Sequence, residues 1–473
     1  MPDATFVLRS PMPASAAELY VWHARPGAFQ RLTPPWDTTR VTGEEGRFGT
    51  PGYRVTVRTP LLGPVKGVLV DEFDEFEPGR RFRDRQVTGP FAAWAHTHTM
   101  TPDGPDHSFL EDRIDYRLPH GALGRAVAGR MVRRRLARMF AYRHALQQSD
   151  LRRHGKYRDR PRLKVAVTGS RGLIGSDLVY FLTTGGHTVR RLVRPARKSN
   201  IEYYDDGTEC ADWDPQAPPD PAVLAGCDAV IHLAGENVAD GRWTAEKKRR
   251  ILESRTVPTR HLAEAIAALP AERRPKVFVS ASAVGFYGDR GDEVLTEDSP
   301  AGSGFFRDVC EAWEAAAAPA AAAGVRVVHP RIGVVLSPRG GALGKQLPAF
   351  KAGGGATLGS GRQWVSWVTI GDVVGALHHC VMEEVSGPVN VTAPNPVTNR
   401  EFTKTLGRVL HRPAVLWLPR AALRVLFGEI TDAALVVSLR VQPRKLLATG
   451  FAFDHTDLEA GLRFVLGREP SPV

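Results

Sequence analysis

Residues 163–193 read LKVAVTGSRGLIGSDLVYFLTTGGHTVRRLV. The apolar run Leu163–Thr168 predicts a buried strand. The glycine-rich turn after it opens a helix over Leu173–Thr184, which Gly185–Gly186 stop. A second strand is predicted over Thr188–Val193. Strand, turn, helix and strand in so short a span form a βαβ unit, the building block of an α/β fold with a doubly wound parallel sheet.

The turn carries glycines spaced GxxGxxG: Gly169, Gly172 and Gly175. The first permits a tight turn, the second lets main chain approach a pyrophosphate, and the third lets helix pack on strand. N–H groups at the helix N-terminus suit phosphate oxygens. Gly169, Ser170, Arg171, Gly172, Leu173, Ile174 and Gly175 are therefore candidate dinucleotide-binding residues. An NAD site carries an acidic residue at the end of the second strand to hold the ribose diol. Here the stretch TVRRLVRPARKSNI (188–201) has none, while Arg194 sits just past the strand and Arg197 and Lys198 follow. Guanidinium groups suit a 2′-phosphate, so the expected cofactor is NADP(H) in preference to NAD. Further on, GCDAVIHLAGENV places a buried strand before Leu233, Ala234 and Gly235, which would pass close to the ribose and nicotinamide. Trp213 and Asp214 are placed near the adenine end.

At 473 residues the chain needs more than one domain. The first 155 residues alternate with period two in several runs, among them YRVTVRTP, RFRDRQV and HSFLEDRIDYRLP. This predicts an antiparallel sheet. A helix is expected from Ala14 to His23 and a long amphipathic one from about Leu123 to Gln147, its apolar positions being Val127, Met131, Leu136, Met139 and Phe140. Together these give an α+β helix-grip layout with a cavity between sheet and helix. His96 and His98 alternate on one strand face, with no third metal ligand nearby in sequence. The charged, proline-punctuated segment RRHGKYRDRPR (152–162) reads as a linker. The expected divisions are 1–155, 162–405, and a small helical C-terminal extension over 412–468.

Composition narrows the function. Hydrophobic residues are 42% and charged residues 24%, as in a globular protein. No apolar run reaches membrane-spanning length, and MPDATFVLRSPMPAS is no signal peptide. The net charge of +12 is concentrated in 124–164. Without aromatic or glycine-rich RNA-binding signatures, it reads as a solvated helix face followed by a charged linker rather than a footprint for nucleic acid or anionic lipid. Cys210, Cys227, Cys310 and Cys380 have no metal-ligand spacing and read as reduced thiols of a cytoplasmic protein.

VTGSRGLIG, HLAG, VSASAVGFYGD (279–289), HPRIGVVLSP (329–338) and SWVTIGDVVGAL (366–377) together resemble the extended short-chain dehydrogenase/reductases of the NAD-dependent epimerase/dehydratase family. LAGENVADGRWTAEKKRRILESR (233–255) and VNVTAPNPVTNREFTKTLGRVLHRP (389–413) are similar to its cell-division-inhibitor-like (SulA-type) branch. That resemblance implies a Rossmann-type sheet and a small C-terminal domain of unknown function. The front phrases ARPGAFQRLTPPW (24–36), DRQVTGPFAAWAHTHTM (84–100) and DRIDYRLPHGALG (112–124) resemble the START-like, polyketide-cyclase (SRPBCC) carriers of hydrophobic ligands.

The resemblance implies a proton-transferring tyrosine, a lysine four residues later and a serine on the preceding strand. The serine matches Ser280 or, better, Ser282, but Phe306 and Cys310 stand where the tyrosine and lysine belong. Tyr287 is then the remaining candidate acid, or else a packing residue at its turn. Glu311 and Glu314 are either surface charges or cleft residues. The sugar-nucleotide arginine slot is held by Val365, with Arg362 three residues early, while Trp364, Trp367 and Phe350 suggest an aromatic wall. Asp372 is expected to cap the helix after it.

Three readings follow. The first is an NADP(H)-dependent oxidoreductase or epimerase acting on a hydrophobic or aromatic small molecule. The second is a non-catalytic NADP(H)-binding regulator, and the third a lipid or polyketide carrier. The partners expected are a small-molecule substrate, a hydrophobic ligand in the front cavity, and a second copy in a homodimer, although no interface is legible.

Overall fold

The computed structural model describes residues 4–62, 65–194 and 208–468. The front part contains β1 (Ala4–Met12), α1 (Ala16–Ala24), α2 (Ala28–Leu32), β2 (Arg40–Glu45), β3 (Tyr53–Leu62), β4 (Val65–Glu77), β5 (Arg81–Thr88), β6 (Ala93–Pro102), β7 (Ser108–Arg117) and α3 (Gly121–Gly155). Its sheet is antiparallel, in the order β1-β7-β6-β5-β4-β3-β2. Alternation sets the buried face: on β7, Ser108, Leu110, Asp112, Ile114 and Tyr116 point inward. Ser15 caps α1 by accepting from the Glu18 N–H, so the helix starts two residues later than expected.

Between sheet and α3 lies a cavity of 1410 Å³. It explains an oddity of α3. Leu136 and Phe140 are buried, but Val127 is 79% and Met131 55% exposed, because this half of the helix faces the cavity instead of packed side chains.

The rest of the chain is built on parallel strands: β8 (Lys164–Thr168), β9 (Thr188–Val193), β10 (Glu209–Asp212), β11 (Ala229–His232), β12 (Val277–Ser280) and β13 (Ser282–Ala283). The strand Arg326–Ile332 follows β12 in the sheet and also pairs with β13 and with Gly387–Val391. The order begins β10-β9-β8-β11-β12, all parallel, so the direction of winding reverses between β8 and β11. This is the expected Rossmann-type arrangement. α4 (Leu173–Thr184) and the helix Ile370–Met382 cover one face, while α5 (Ala245–Ala268) packs on the other. The short strand Leu416–Leu418 pairs with Ala356–Leu358, and the helix Leu458–Leu466 packs into a core with Trp367 and Phe402.

The segment read as a solvated linker starts inside α3. The helix continues to Gly155, and Asp150, Arg153 and His154 are buried. The charges of Asp150 and Arg153 are satisfied by distant residues. Arg31 makes a paired contact with Asp150, at 2.7 and 2.8 Å. Arg153 reaches Asp372 (2.6 Å) and Asp454 (2.7 Å), and the main-chain carbonyl of Gly371. A Cβ on Gly375 would stand 2.6 Å from the Arg153 guanidinium, so this glycine opens the slot that admits it. Asp372 is thus no cap. Thr369 caps the helix, and the Asp372 carboxylate accepts from Arg153 and from the Asp454 and His455 N–H groups.

Removing one member of a buried pair strands the other, at a cost of about 3–5 kcal/mol. Arg153→Ala should therefore lower the denaturant midpoint clearly. Loss at the surface pair Arg249–Glu253, worth at most about 1 kcal/mol, should not.

Candidate functional site

The site lies where the glycine loop leaves β8 and meets the turn after β11. Gly169 has φ +66°, a left-handed conformation that only glycine adopts cheaply. A Cβ there would sit 2.8 Å from the Ala234 nitrogen, and one on Gly175 would sit 2.2 Å from the Gly169 carbonyl oxygen. Two main-chain segments therefore touch without side chains between them. Thr168 ties them: its hydroxyl lies 2.6 Å from His232 Nδ1 and accepts from the N–H groups of Leu233 (3.2 Å) and Ala234 (3.4 Å). Burial, with Arg255 nearby, holds the His232 pKa down to about 3, so the ring is neutral.

Gly172 precedes α4 and offers no side-chain hydrogen bond to its first turn. Ser170 is buried, and its hydroxyl has no partner among the described residues. A buried hydroxyl without a partner, beside an uncapped helix N-terminus and a side-chain-free cradle, fits a phosphate group. Arg171 is exposed on the loop; Leu173 and Ile174 are half-buried at the start of α4. Arg194 is exposed at the end of β9. Arg197 and Lys198 lie outside the described residues. Trp213 is buried 6.1 Å from the His232 ring, on the β10 side of the loop.

Two cations escaped the sequence reading. Arg191, on β9, is buried beneath the loop and donates to the Ser170 carbonyl at 3.4 Å. Arg255, on α5, lies against Gly235: a Cβ there would be 3.3 Å from its guanidinium carbon. It donates to the Glu236 carbonyl at 3.0 Å and covers the Trp313 ring at 5.2 Å. Burial lowers its pKa, partly offset by the Glu236 carboxylate. No local motif marks either residue, since both act across elements.

Phe306 and Cys310 lie on α6 (Phe305–Ala315), beside the segment 282–287. A Cβ on Gly285 would be 2.9 Å from Phe306 Cβ, and the Cys310 thiol points to the Ala283 carbonyl at 3.6 Å. Phe306 also packs against Trp243 and Phe305. Burial pushes the Cys310 thiol up to about 11, so it is neutral at pH 7. Ser282 is buried and donates to Glu314 at 2.7 Å, while Arg331 forks onto both oxygens of Glu314 at 2.8 Å. Glu314 is therefore interior, and Glu311 is a surface partner of Arg307. Tyr287 is 0% exposed. Its hydroxyl donates to Asn390 (2.7 Å) and accepts from Arg331 (3.1 Å), and burial raises its pKa. Its proton is thus committed within the core.

The expected aromatic wall is corrected. Trp367, on a strand paired parallel with Val334–Leu336, and Phe350, on the helix Gly341–Lys351, are both buried in one core. Trp364 lies under Arg440, its ring nitrogen donating to Asp292. Phe305 and Phe306, at the start of α6, pack against Trp243. Arg362 is exposed.

The chain matches the NAD dependent epimerase/dehydratase family over residues 165–392 and a domain of unknown function, DUF1731, over 418–465. An epimerase family protein of Mycobacterium bovis is 42% identical over 306 residues, covering 64% of this chain and 98% of that protein. The crystal structure of human epimerase family protein SDR39U1 with NADPH has a TM-score of 0.57 at 35% identity, over 64% of this chain and 99% of that one. The crystal structure of a Corynebacterium glutamicum nucleoside-diphosphate sugar epimerase has a TM-score of 0.78 at 34% identity, over 99% of this chain and 91% of that one. The chain belongs to the NAD-dependent epimerase/dehydratase family.

All four cysteines are free, but only Cys210 is exposed. Thiol titration of the folded chain at neutral pH should give a single fast-reacting group, lost in Cys210→Ser. Fast reaction of Cys310 would contradict its buried, neutral state.

Proposed function

We propose that the chain binds NADP(H) over the carboxyl ends of its parallel sheet and acts there on a hydrophobic or aromatic small molecule, as an oxidoreductase or epimerase-like protein. The partnerless Ser170 hydroxyl in the glycine cradle carries this reading, because it suits a phosphate group. Gly169, Ser170, Arg171, Gly172, Leu173, Ile174 and Gly175 would hold the pyrophosphate, with Arg191 keeping the loop in place from below. Arg194 would meet the 2′-phosphate, in a strand end without a carboxylate. The human relative solved with NADPH supports the same choice. Leu233, Ala234 and Gly235 would border the ribose. Arg255 would supply, from α5, the positive charge that Cys310 does not.

When bound, the nicotinamide supplies or accepts a hydride. Ser282 would polarise the substrate oxygen by turning its hydroxyl from Glu314, which the Arg331 fork holds in place, towards the substrate. Tyr287 holds Arg331 and serves as a positioning residue. In this proposal residues 1–155 form a START-like ligand domain, 162–405 the nucleotide-binding domain and 412–468 the C-terminal domain. A second reading, a non-catalytic NADP(H)-binding regulator, is favoured by Phe306 and Cys310, which offer no exchangeable proton of useful pKa at the expected place.

Calorimetric titration separates these. NADPH should bind more tightly than NADH, and Arg194→Ala should weaken NADPH by about 10- to 100-fold, the loss of one charge-assisted phosphate contact, while leaving NADH unchanged. No binding of either nucleotide would refute both readings. If NADPH binds, its oxidation by members of an aromatic and aliphatic carbonyl panel, reduced in Ser282→Ala, supports catalysis. Tight binding with no turnover supports the regulator.

A further inference from the structure

The floor of the front cavity carries a polar cluster that the nucleotide site does not use. Asp84 on β5 pairs in register with His96 on β6, and His98 follows on the same face. All three are buried and line the cavity. The third ligand that the sequence around the two histidines lacks is thus supplied by the neighbouring strand.

The geometry is that of donors around a common centre. Asp84 Oδ1 stands 3.5 Å from His96 Nδ1 and 3.8 Å from His98 Nε2, too far for good hydrogen bonds. Three donors at about 2.1 Å from one ion, at tetrahedral angles, are about 3.4 Å apart. The opposite ring nitrogens are held from behind. His96 Nε2 lies 2.9 Å from Asp112 Oδ1, and His98 Nδ1 lies 2.7 Å from the same oxygen, though off its hydrogen-bonding direction. Asp112 is itself fixed by His144 at 2.6 Å, and His144 by Ser10 at 2.8 Å. A carboxylate behind each ligating imidazole is the usual means of orienting it towards a metal. Phe82 stacks on the His98 ring at 4.1 Å and limits its rotation.

An independent observation points the same way. Asp71 also lines the cavity, and its Oδ1 is buried without a partner among the described residues. Asp71, Asp84 and Asp112 share this interior with the Arg143 guanidinium. The other histidine trio, His154, His187 and His378, is a weaker candidate. It is in the core and does not line the front cavity, so an ion there would have no open position facing the cavity's occupant.

We propose that Asp84, His96 and His98 bind one divalent first-row transition-metal ion of the zinc class, whose remaining coordination positions face the cavity. Two imidazoles and a carboxylate suit such an ion and leave room for an oxygen donor on the cavity's occupant.

The full chain, stripped with chelator and dialysed, should take up about one Zn(II) per chain and show visible d–d bands with Co(II). Asp84→Asn and His98→Gln should each weaken Zn(II) by about 100-fold or more and abolish those bands. His378→Gln should retain both. A thermal midpoint rising with Zn(II) in the wild type but not in Asp84→Asn separates ligation from misfolding. The proposal is overturned if the wild-type chain takes up no stoichiometric Zn(II) or Co(II). It is also overturned if uptake persists in folded Asp84→Asn and His98→Gln, or is lost in His378→Gln instead.

Discussion

The contact between Gly169 and the Leu233–Ala234 main chain sets the geometry of the nucleotide half. It lies at the point where the winding of the sheet reverses, between β8 and β11. A side chain at Gly169 or Gly175 would push the loop away from the HLAG turn and α4 away from β8. With glycines there, one cradle joins the helix N-terminus, the Ser170 hydroxyl and the turn at Gly235. The cations around it then fall into place: Arg191 below, Arg194 at the strand end and Arg255 on the far side.

The front and back of the chain are joined by buried ion pairs. Arg31, Asp150 and Asp177 link α2, α3 and α4, and Arg339 reaches Asp177 as well. Arg153, Asp372 and Asp454 link α3 to the helix Ile370–Met382 and to the C-terminal part. Such pairs contribute little net stability over an apolar equivalent, but a misplaced dock would strand several charges. They favour one arrangement of the cavity domain against the sheet, with Gly27 of the front part close to Tyr180 on α4.

The readable parts of the sequence were the local ones. The strand–glycine–helix–strand unit at 163–193 depends on neighbours in sequence, and the structure follows it nearly residue by residue. The antiparallel runs and the cavity were legible from alternation and from the apolar face of α3. The edge strand β2 was not, because RVTGEE is polar and carries a bulge between Val41 and Gly43. The last turns of α3 read as solvent-facing because charge normally means exposure, and only distant partners reverse that. Asp84 beside His96, Arg255 beside Gly235 and Glu314 beside Ser282 are all cross-element pairings that no spacing encodes. Trp367 and Phe350 read as a wall from sequence because aromatic residues near a glycine turn look alike whether they face a cleft or a core.

What the chain retains and what it lacks are therefore separable. The glycine cradle proposed to hold the phosphates is complete, whereas the positions where the family resemblance implies proton transfer carry a phenyl ring and a neutral thiol. A crystal structure of the full chain grown with NADPH tests this most directly. The account predicts pyrophosphate over Gly169–Gly175 within hydrogen-bonding reach of Ser170, the 2′-phosphate against Arg194, and the nicotinamide ribose between Gly235 and Arg255. Nucleotide bound elsewhere, or a glycine loop that does not contact it, would contradict the account.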